Sequence, residues 1–119
     1  MTIRMLEATI PTTKYQILRR FYRDHVGLKV ASEGQHHVFF DILGAQLALV
    51  DVSEGDSLIR PSGHGIYLNL ATVDLNTLKR RLIRHGVVIL SHQNNAHGNS
   101  IIIRDPEGNI LNIFQEGSF

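Results

Sequence analysis

Over residues 3–10 apolar and polar positions alternate, with Leu6, Ala8 and Ile10 on one face and Met5, Glu7 and Thr9 on the other. A period of two predicts a strand. Pro11-Thr12-Thr13 follows as a breaker and cap. Tyr15, Leu18 and Tyr22, flanked by Ile17 and Phe21, then form the i, i+3, i+7 stripe of an amphipathic helix ending near Gly27. Residues 28–31, 38–42 and 46–52 read as three further strands, separated by turns at Glu33-Gly34-Gln35 and Leu43-Gly44-Ala45. Residues 53–65, rich in glycine, serine and charge, read as a linker or exposed loop.

After residue 65 the pattern restarts. Ile66, Leu68 and Leu70 alternate with Tyr67, Asn69 and Ala71. Asp74 is a helix N-cap candidate, Leu75, Leu78 and Leu82 repeat the stripe, and Gly86 stops the helix. Residues 87–90, 101–104 and 110–114 predict three more strands, and Asp105-Pro106-Glu107-Gly108 has the residues of a type I turn. Gly27 and Gly108 are read as positions needing positive φ. The halves align at an offset of 60 through Tyr15/Leu75, Leu18/Leu78, Tyr22/Leu82 and His25/His85, then at 64 through Gly44/Gly108 and Leu47/Leu111. Each half is therefore strand–helix–strand–strand–strand: modules at about 3–52 and 66–115, joined by residues 53–65 in one domain spanning 1–119.

Composition narrows the class. The chain has 119 residues, 43% hydrophobic and 19% charged, enough for a real core and too apolar for a disordered chain. Twelve basic and eleven acidic residues are interspersed, leaving +1, so there is no basic face for nucleic acid or a membrane surface. The run Lys79-Arg80-Arg81, with Arg84 following, lies off the leucine stripe and reads as a solvated helix face. With no cysteine, disulfides, thiolate zinc sites and cysteine nucleophiles are excluded. No signal peptide is expected at the N-terminus, and no window holds the roughly 18 apolar residues of a membrane span. A cytoplasmic protein is expected. Gly-x-Ser-x-Gly, phosphate-cradling glycine loops and His-Glu-x-x-His are absent from the sequence.

The duplicated module, with Phe21-Tyr22 before Val26-Gly27-Leu28 and Arg104-Asp105-Pro106-Glu107-Gly108-Asn109 before the last strand, resembles the vicinal oxygen chelate superfamily. That group includes glyoxalase I, bleomycin-resistance proteins, fosfomycin-modifying enzymes and extradiol dioxygenases. The resemblance covers essentially the whole chain, although the Asp-Pro-x-Gly-Asn turn is a structural marker. It implies an α+β fold of two tandem βαβββ modules, cupped mixed sheets around a cavity with helices outside, and a homodimer. In metal-dependent members the ligands come from the first and last strands of each module, which here are Glu7, Ala48, Tyr67 and Asn112.

Those four residues do not make a metal set. A catalytic divalent ion takes about three ligands of the His, Asp, Glu or Cys type. Glu7 qualifies, Asn112 offers a neutral amide oxygen, a neutral Tyr67 phenol is a poor ligand and Ala48 offers nothing. No metal is therefore expected, with a divalent ion as the alternative. Glu7 is read as facing the cavity because Leu6 and Ala8 are read as facing the helix; the opposing reading is a solvent-facing carboxylate. His36 and His37, adjacent on a strand, point to opposite faces and cannot share an ion. His25 and His85 read as structural groups at helix ends. His64 lies in the linker, and His92 and His97 flank a polar loop from which His97 is a candidate substrate contact.

Three functions compete. The first is a metal-free binder of a small aromatic or weakly polar molecule, contacted by Tyr67, Asn69, Asn112, Ala48, Phe114, His97 and either Phe39 or Phe40; near-neutral charge argues against cationic bleomycin itself. The second is a lyase or isomerase with Glu7 as general base, Tyr67 and Asn112 orienting the substrate, and His64 or His97 recruited in a metal-assisted version. The third is a structural or interaction domain without catalysis.

Overall fold

The computed structural model describes residues 2–54, 61 and 65–118. The chain divides into two units, Met1–Ser62 and Gly63–Phe119, each built on the predicted βαβββ plan. In the first module β1 (Ala8–Thr12) leads into α1 (Tyr15–Arg20), a π-helical segment (Phe21–Val26), β2 (Lys29–Glu33), β3 (His37–Ile42) and β4 (Ala45–Asp51). In the second, β5 (Tyr67–Thr72) is followed by α2 (Leu75–Arg84), β6 (Ser91–Asn95), β7 (Gly98–Arg104) and β8 (Ile110–Gln115). The sheet orders are β1-β4-β3-β2 and β5-β8-β7-β6, with the first strand parallel to the last and the other pairs antiparallel.

One face of each sheet is closed by its own helix. Ile10, Val38, Phe40, Leu47 and Leu49 are buried with Leu18 and Tyr22; Ile101, Ile103, Leu111 and Ile113 are buried with Leu75 and Leu82. Fully burying each such side chain contributes about 1.5–3 kcal/mol. The repeat holds residue by residue: Thr9 pairs with Ala48 as Asn69 pairs with Asn112, and Ile10 with Leu49 as Leu70 with Ile113.

Three sequence expectations need correction. The first strand begins at Ala8, and residues 2–7 precede it with Leu6 75% exposed, so Leu6 does not pack on the helix layer. Pro11 lies within β1 as the neighbour of Val50. The Thr12 carbonyl accepts from Val52 toward β4 (2.9 Å), so position 11 turns to the unpaired side of an edge strand, where the missing N–H costs nothing. Residues 87–90 are not a strand. The edge strand is the polar β6, and the segment read as a loop around Gln93 is a hairpin arm ending in a turn at Ala96-His97.

The helices differ by one residue. Tyr22 accepts from Leu28 and Leu82 from Val87, so six residues close the first helix where five close the second. The extra residue is absorbed by the π turn, in which Gly27 N–H reaches Tyr22 O at 3.2 Å. Gly27 takes φ 88° and Gly86 φ 82°, the left-handed stops that glycine permits. Their N-termini differ too. Asp74 caps α2 by accepting from Thr77 N–H (3.0 Å) and Thr77 hydroxyl (2.7 Å), whereas Lys14 at the same place on α1 supplies no side-chain cap.

Candidate functional site

On the face of each sheet away from its helix, strand alternation and register set out a row of side chains. In the second module these include Tyr67, Asn69 and Ala71 from β5, Ile110, Asn112 and Phe114 from β8, and Ser100, Ile102 and Arg104 from β7. Asn112 lies between Asn69 and Ile102 across the strands. Its Nδ2 donates to the Tyr67 hydroxyl at 3.4 Å, while its buried Oδ1 has no partner. Tyr67 is 57% exposed, Asn69 is exposed and Phe114 half-buried. Arg104 donates from Nη1 to the Gly108 carbonyl at 3.1 Å.

The corresponding face of the first module carries Thr9 and Pro11, then Gln46, Ala48 and Val50, then His37, Phe39 and Asp41. Ala48 is fully buried between Thr9 and Phe39 on its neighbouring strands. Of the two phenylalanines, Phe39 belongs to this face; Phe40 is buried toward the helix, its ring 6.3 Å from that of Tyr22. Glu7, one residue before β1, is exposed and accepts from Gln46 Nε2 at 3.2 Å. The packing of Leu6 on the helix layer, on which the cavity-facing reading of Glu7 was based, is not present.

The histidines scatter. The His37 ring lies tilted beside that of Phe39 with ring centres 5.0 Å apart, while His36, which precedes β3 and is not a strand residue, turns to Asp51 (Nδ1 to Oδ2, 3.5 Å). Asp51 itself is held below the usual carboxylate range, chiefly by the hydroxyl and N–H of Ser53. His92 lies on the helix side of its sheet, between Lys79 Nζ and Asn99 Oδ1, each at 2.8 Å. His97 is exposed at the β6–β7 turn, its N–H donating to Asn95 Oδ1 at 2.8 Å. His64 lies outside the described residues, as does much of the expected 53–65 linker. Among the described residues no three His, Cys, Asp or Glu side chains gather in a metal-holding group. The donor chemistry at the four family positions does not fit a tightly held transition metal: one is a hydrocarbon, and an amide and a phenol bond to each other.

Sequence reasoning missed the polar contribution of β6, because a strand with both faces polar has no apolar period to reveal it. It also missed Thr9, which the register identifies as the partner of Ala48 and the counterpart of Asn69.

The buried turn frames the second module's face. Asp105 Oδ1 accepts from Glu107 N–H (2.9 Å) and Asn109 N–H (3.0 Å), and its Oδ2 accepts from Asn109 Nδ2 (2.9 Å). Asn109 Oδ1 in turn accepts from Ile66 N–H at 3.1 Å, which ties the start of β8 to the entry of β5 and so sets Asn112 beside Asn69. Gly108, at φ 99°, closes the turn as predicted.

Tandem βαβββ modules with helix-covered sheets and this buried turn define a known class of fold. The sequence matches the Glyoxalase/Bleomycin resistance protein/Dioxygenase superfamily over residues 4–113, and the chain belongs to that superfamily. It is similar in structure to TnmS3, described as an antibiotic binding protein from Streptomyces sp. CB03234, with 24% identity and a TM-score of 0.76 over 97% of this chain and 98% of that one. Lactoylglutathione lyase from Agrobacterium tumefaciens is similar at 20% identity and a TM-score of 0.76, over 99% of each chain. An integron cassette protein from the mobile metagenome of V. cholerae shares 19% identity with a TM-score of 0.75, over 98% of each chain. At such identities these likenesses show the fold alone. No curated protein matches the sequence. No helix among the described residues is long and apolar enough to cross a membrane.

Proposed function

We propose that this protein binds a small, aromatic or weakly polar molecule on the open sheet faces of its modules, without a metal, and does so as a homodimer. The observation that carries the reading is the chemistry at the four family positions. Ala48 leaves a floor without a donor atom, while Asn112 and Tyr67 form a neutral amide–phenol pair. Phe39 and Phe114 supply aromatic surface on the two faces. The near-balanced charge favours a ligand without strong ionic character. Dimerisation is supported by the unpaired edges of β1 and β5 and by exposed Ile3 and Met5 ahead of β1.

The test is native mass spectrometry and elemental analysis on protein purified without chelators. Retention of a small organic molecule by a dimer at substoichiometric metal is the expected result. A stoichiometric transition metal overturns the metal-free reading, and a monomer at micromolar concentration overturns the dimer. The alternative, a lyase or isomerase with Glu7 as general base, requires a turnover that Glu7→Gln abolishes.

A further inference from the structure

We propose that the second module's open face selects its ligand by a paired carboxamide edge, formed by Asn69 and Asn112, that takes neutral planar molecules bearing a hydrogen-bond donor and acceptor on adjacent atoms: lactams, imides and related amides. This rests on the binding function proposed above and narrows it to a ligand class.

Asn69 and Asn112 are direct partners in the β5–β8 ladder and point to the same face, so their backbones lie about 4.8 Å apart, as neighbouring strands do. Asn69 is exposed and its side chain makes no hydrogen bond among the described residues. Asn112 is half satisfied: Nδ2 has only the long contact to Tyr67, and Oδ1 is buried with no partner. Turning the amide over lets the Tyr67 hydroxyl donate to the oxygen but leaves the nitrogen unmet. Either orientation leaves a deficit at a buried polar atom, which is unfavourable. The deficit is met when the amide swings toward a ligand that supplies the missing partner.

The surroundings define the rest of the ligand. Ile102 flanks Asn112 across the sheet, and Ile110 and Phe114 flank it along β8, an apolar bed for a flat body. Among the strand residues of this face the one charged side chain is Arg104, and it is turned to the Gly108 carbonyl. A cationic ligand would find no carboxylate among these strand residues, and Arg104 lies beside Ile110 rather than directly across from either amide. An amide edge presents N–H to a carboxamide oxygen and C=O to a carboxamide nitrogen, the complement of what Asn69 and Asn112 offer. The first module has Thr9 and Ala48 at the matching positions, so the selectivity belongs to the second module.

The test uses three flat probes of similar size against the full chain, followed by amide chemical shifts in NMR titrations: 2-quinolinone, its N-methyl derivative and naphthalene. We expect 2-quinolinone to bind about tenfold more tightly than the N-methyl compound, the equivalent of one hydrogen bond of about 1.4 kcal/mol. Shifts should centre on Asn69, Asn112 and Tyr67. Asn69→Leu, an exposed site that leaves folding intact, and Asn112→Leu should each bring that ratio toward one while naphthalene binding holds or rises. Equal binding of all three probes, or a ratio that survives both substitutions, overturns the carboxamide edge and leaves small-molecule binding standing. Failure of every probe to bind at this face overturns both.

Discussion

Replacing Asp105 should unlock the second module's sheet. Asp105 is 4% exposed, and its carboxylate accepts from Glu107 N–H and from the backbone N–H and side-chain amide of Asn109, which is fully buried. In Asp105→Ala both Asn109 donors lose this charged acceptor in a buried setting, while Glu107 N–H, nearer the surface, finds solvent. A stranded buried donor costs about 1–3 kcal/mol, and more where the lost acceptor was charged, so the expected loss is about 3–5 kcal/mol. At roughly 4 °C per kcal/mol for a chain of this size, the melting temperature falls by about 12–20 °C.

Asp105→Asn gives a sharper check. Its oxygen still accepts from the two backbone N–H groups, but its amide nitrogen now faces Asn109 Nδ2, donor against donor. Asn109 cannot relieve this by turning over, because its Oδ1 is committed to Ile66 N–H. An intermediate loss of about 1–3 kcal/mol is expected. Thermal and urea melts followed by circular dichroism measure both. If Asp105→Ala melts within about 3 °C of the parent, or Asp105→Asn is as costly as Asp105→Ala, the turn does not work through these bonds.

Leu43 is fully exposed at φ 42° in the two-residue loop with Gly44 at φ 90°, the type I′ geometry that Asn-Gly prefers; Leu43→Asn should raise stability by about 1 kcal/mol in urea melts, and a loss would refute that backbone assignment. Lys14→Ser should supply the cap that α1 lacks, worth about 1 kcal/mol in the same assay, whereas no gain would mean that the first helical N–H groups are already satisfied. Asp74 titrates below the ordinary Asp value because the hydroxyl and N–H of Thr77 bond its charged form. Its contribution is therefore present above about pH 4 and fades as pH falls through its lowered folded value. The stability gap between parent and Asp74→Asn should close in acid melts, and a gap that widens below pH 4 would contradict this.

The sequence carried the frame of the fold because burial wrote it there. Leu75, Leu78 and Leu82 reveal α2 since a helix must bury one stripe, and Asp105 to Gly108 reveal their turn since few residues tolerate its dihedral angles. Edge strands leave weaker marks. β6 buries little, so nothing obliges Ser91, His92, Gln93, Asn94 and Asn95 to alternate, whereas the apolar Val88 and Leu90 ahead of it mimicked a strand while being 70% and 51% exposed. Leu6 misled in the same way: its alternation with Glu7 continued a pattern that packing did not use. At the candidate site, the equivalence of Ala48 with Asn112 was readable from the repeat, but the unmet oxygen of Asn112 was not. It depends on where the Tyr67 hydroxyl reaches and on the burial of the amide oxygen, which are properties of the assembled sheet.

The two modules diverge on one face only. Toward the helices their paired positions agree in kind: Ile10 with Leu70, Phe40 with Ile103, Leu47 with Leu111, Leu49 with Ile113 and Tyr22 with Leu82. On the open faces the same registers set Thr9 against Asn69, Ala48 against Asn112, Val50 against Phe114 and Asp41 against Arg104. A helix-facing change of volume costs about 2–5 kcal/mol when a large residue becomes small, so that face is tied to the fold. Substitutions on a partly exposed face cost far less, and each module is free to carry its own chemistry there. One frame used twice thus presents two unlike surfaces, hydroxyl and methyl on the first, amide and phenol on the second. A ligand that reads hydrogen bonds will discriminate between them, and one that is purely apolar will not.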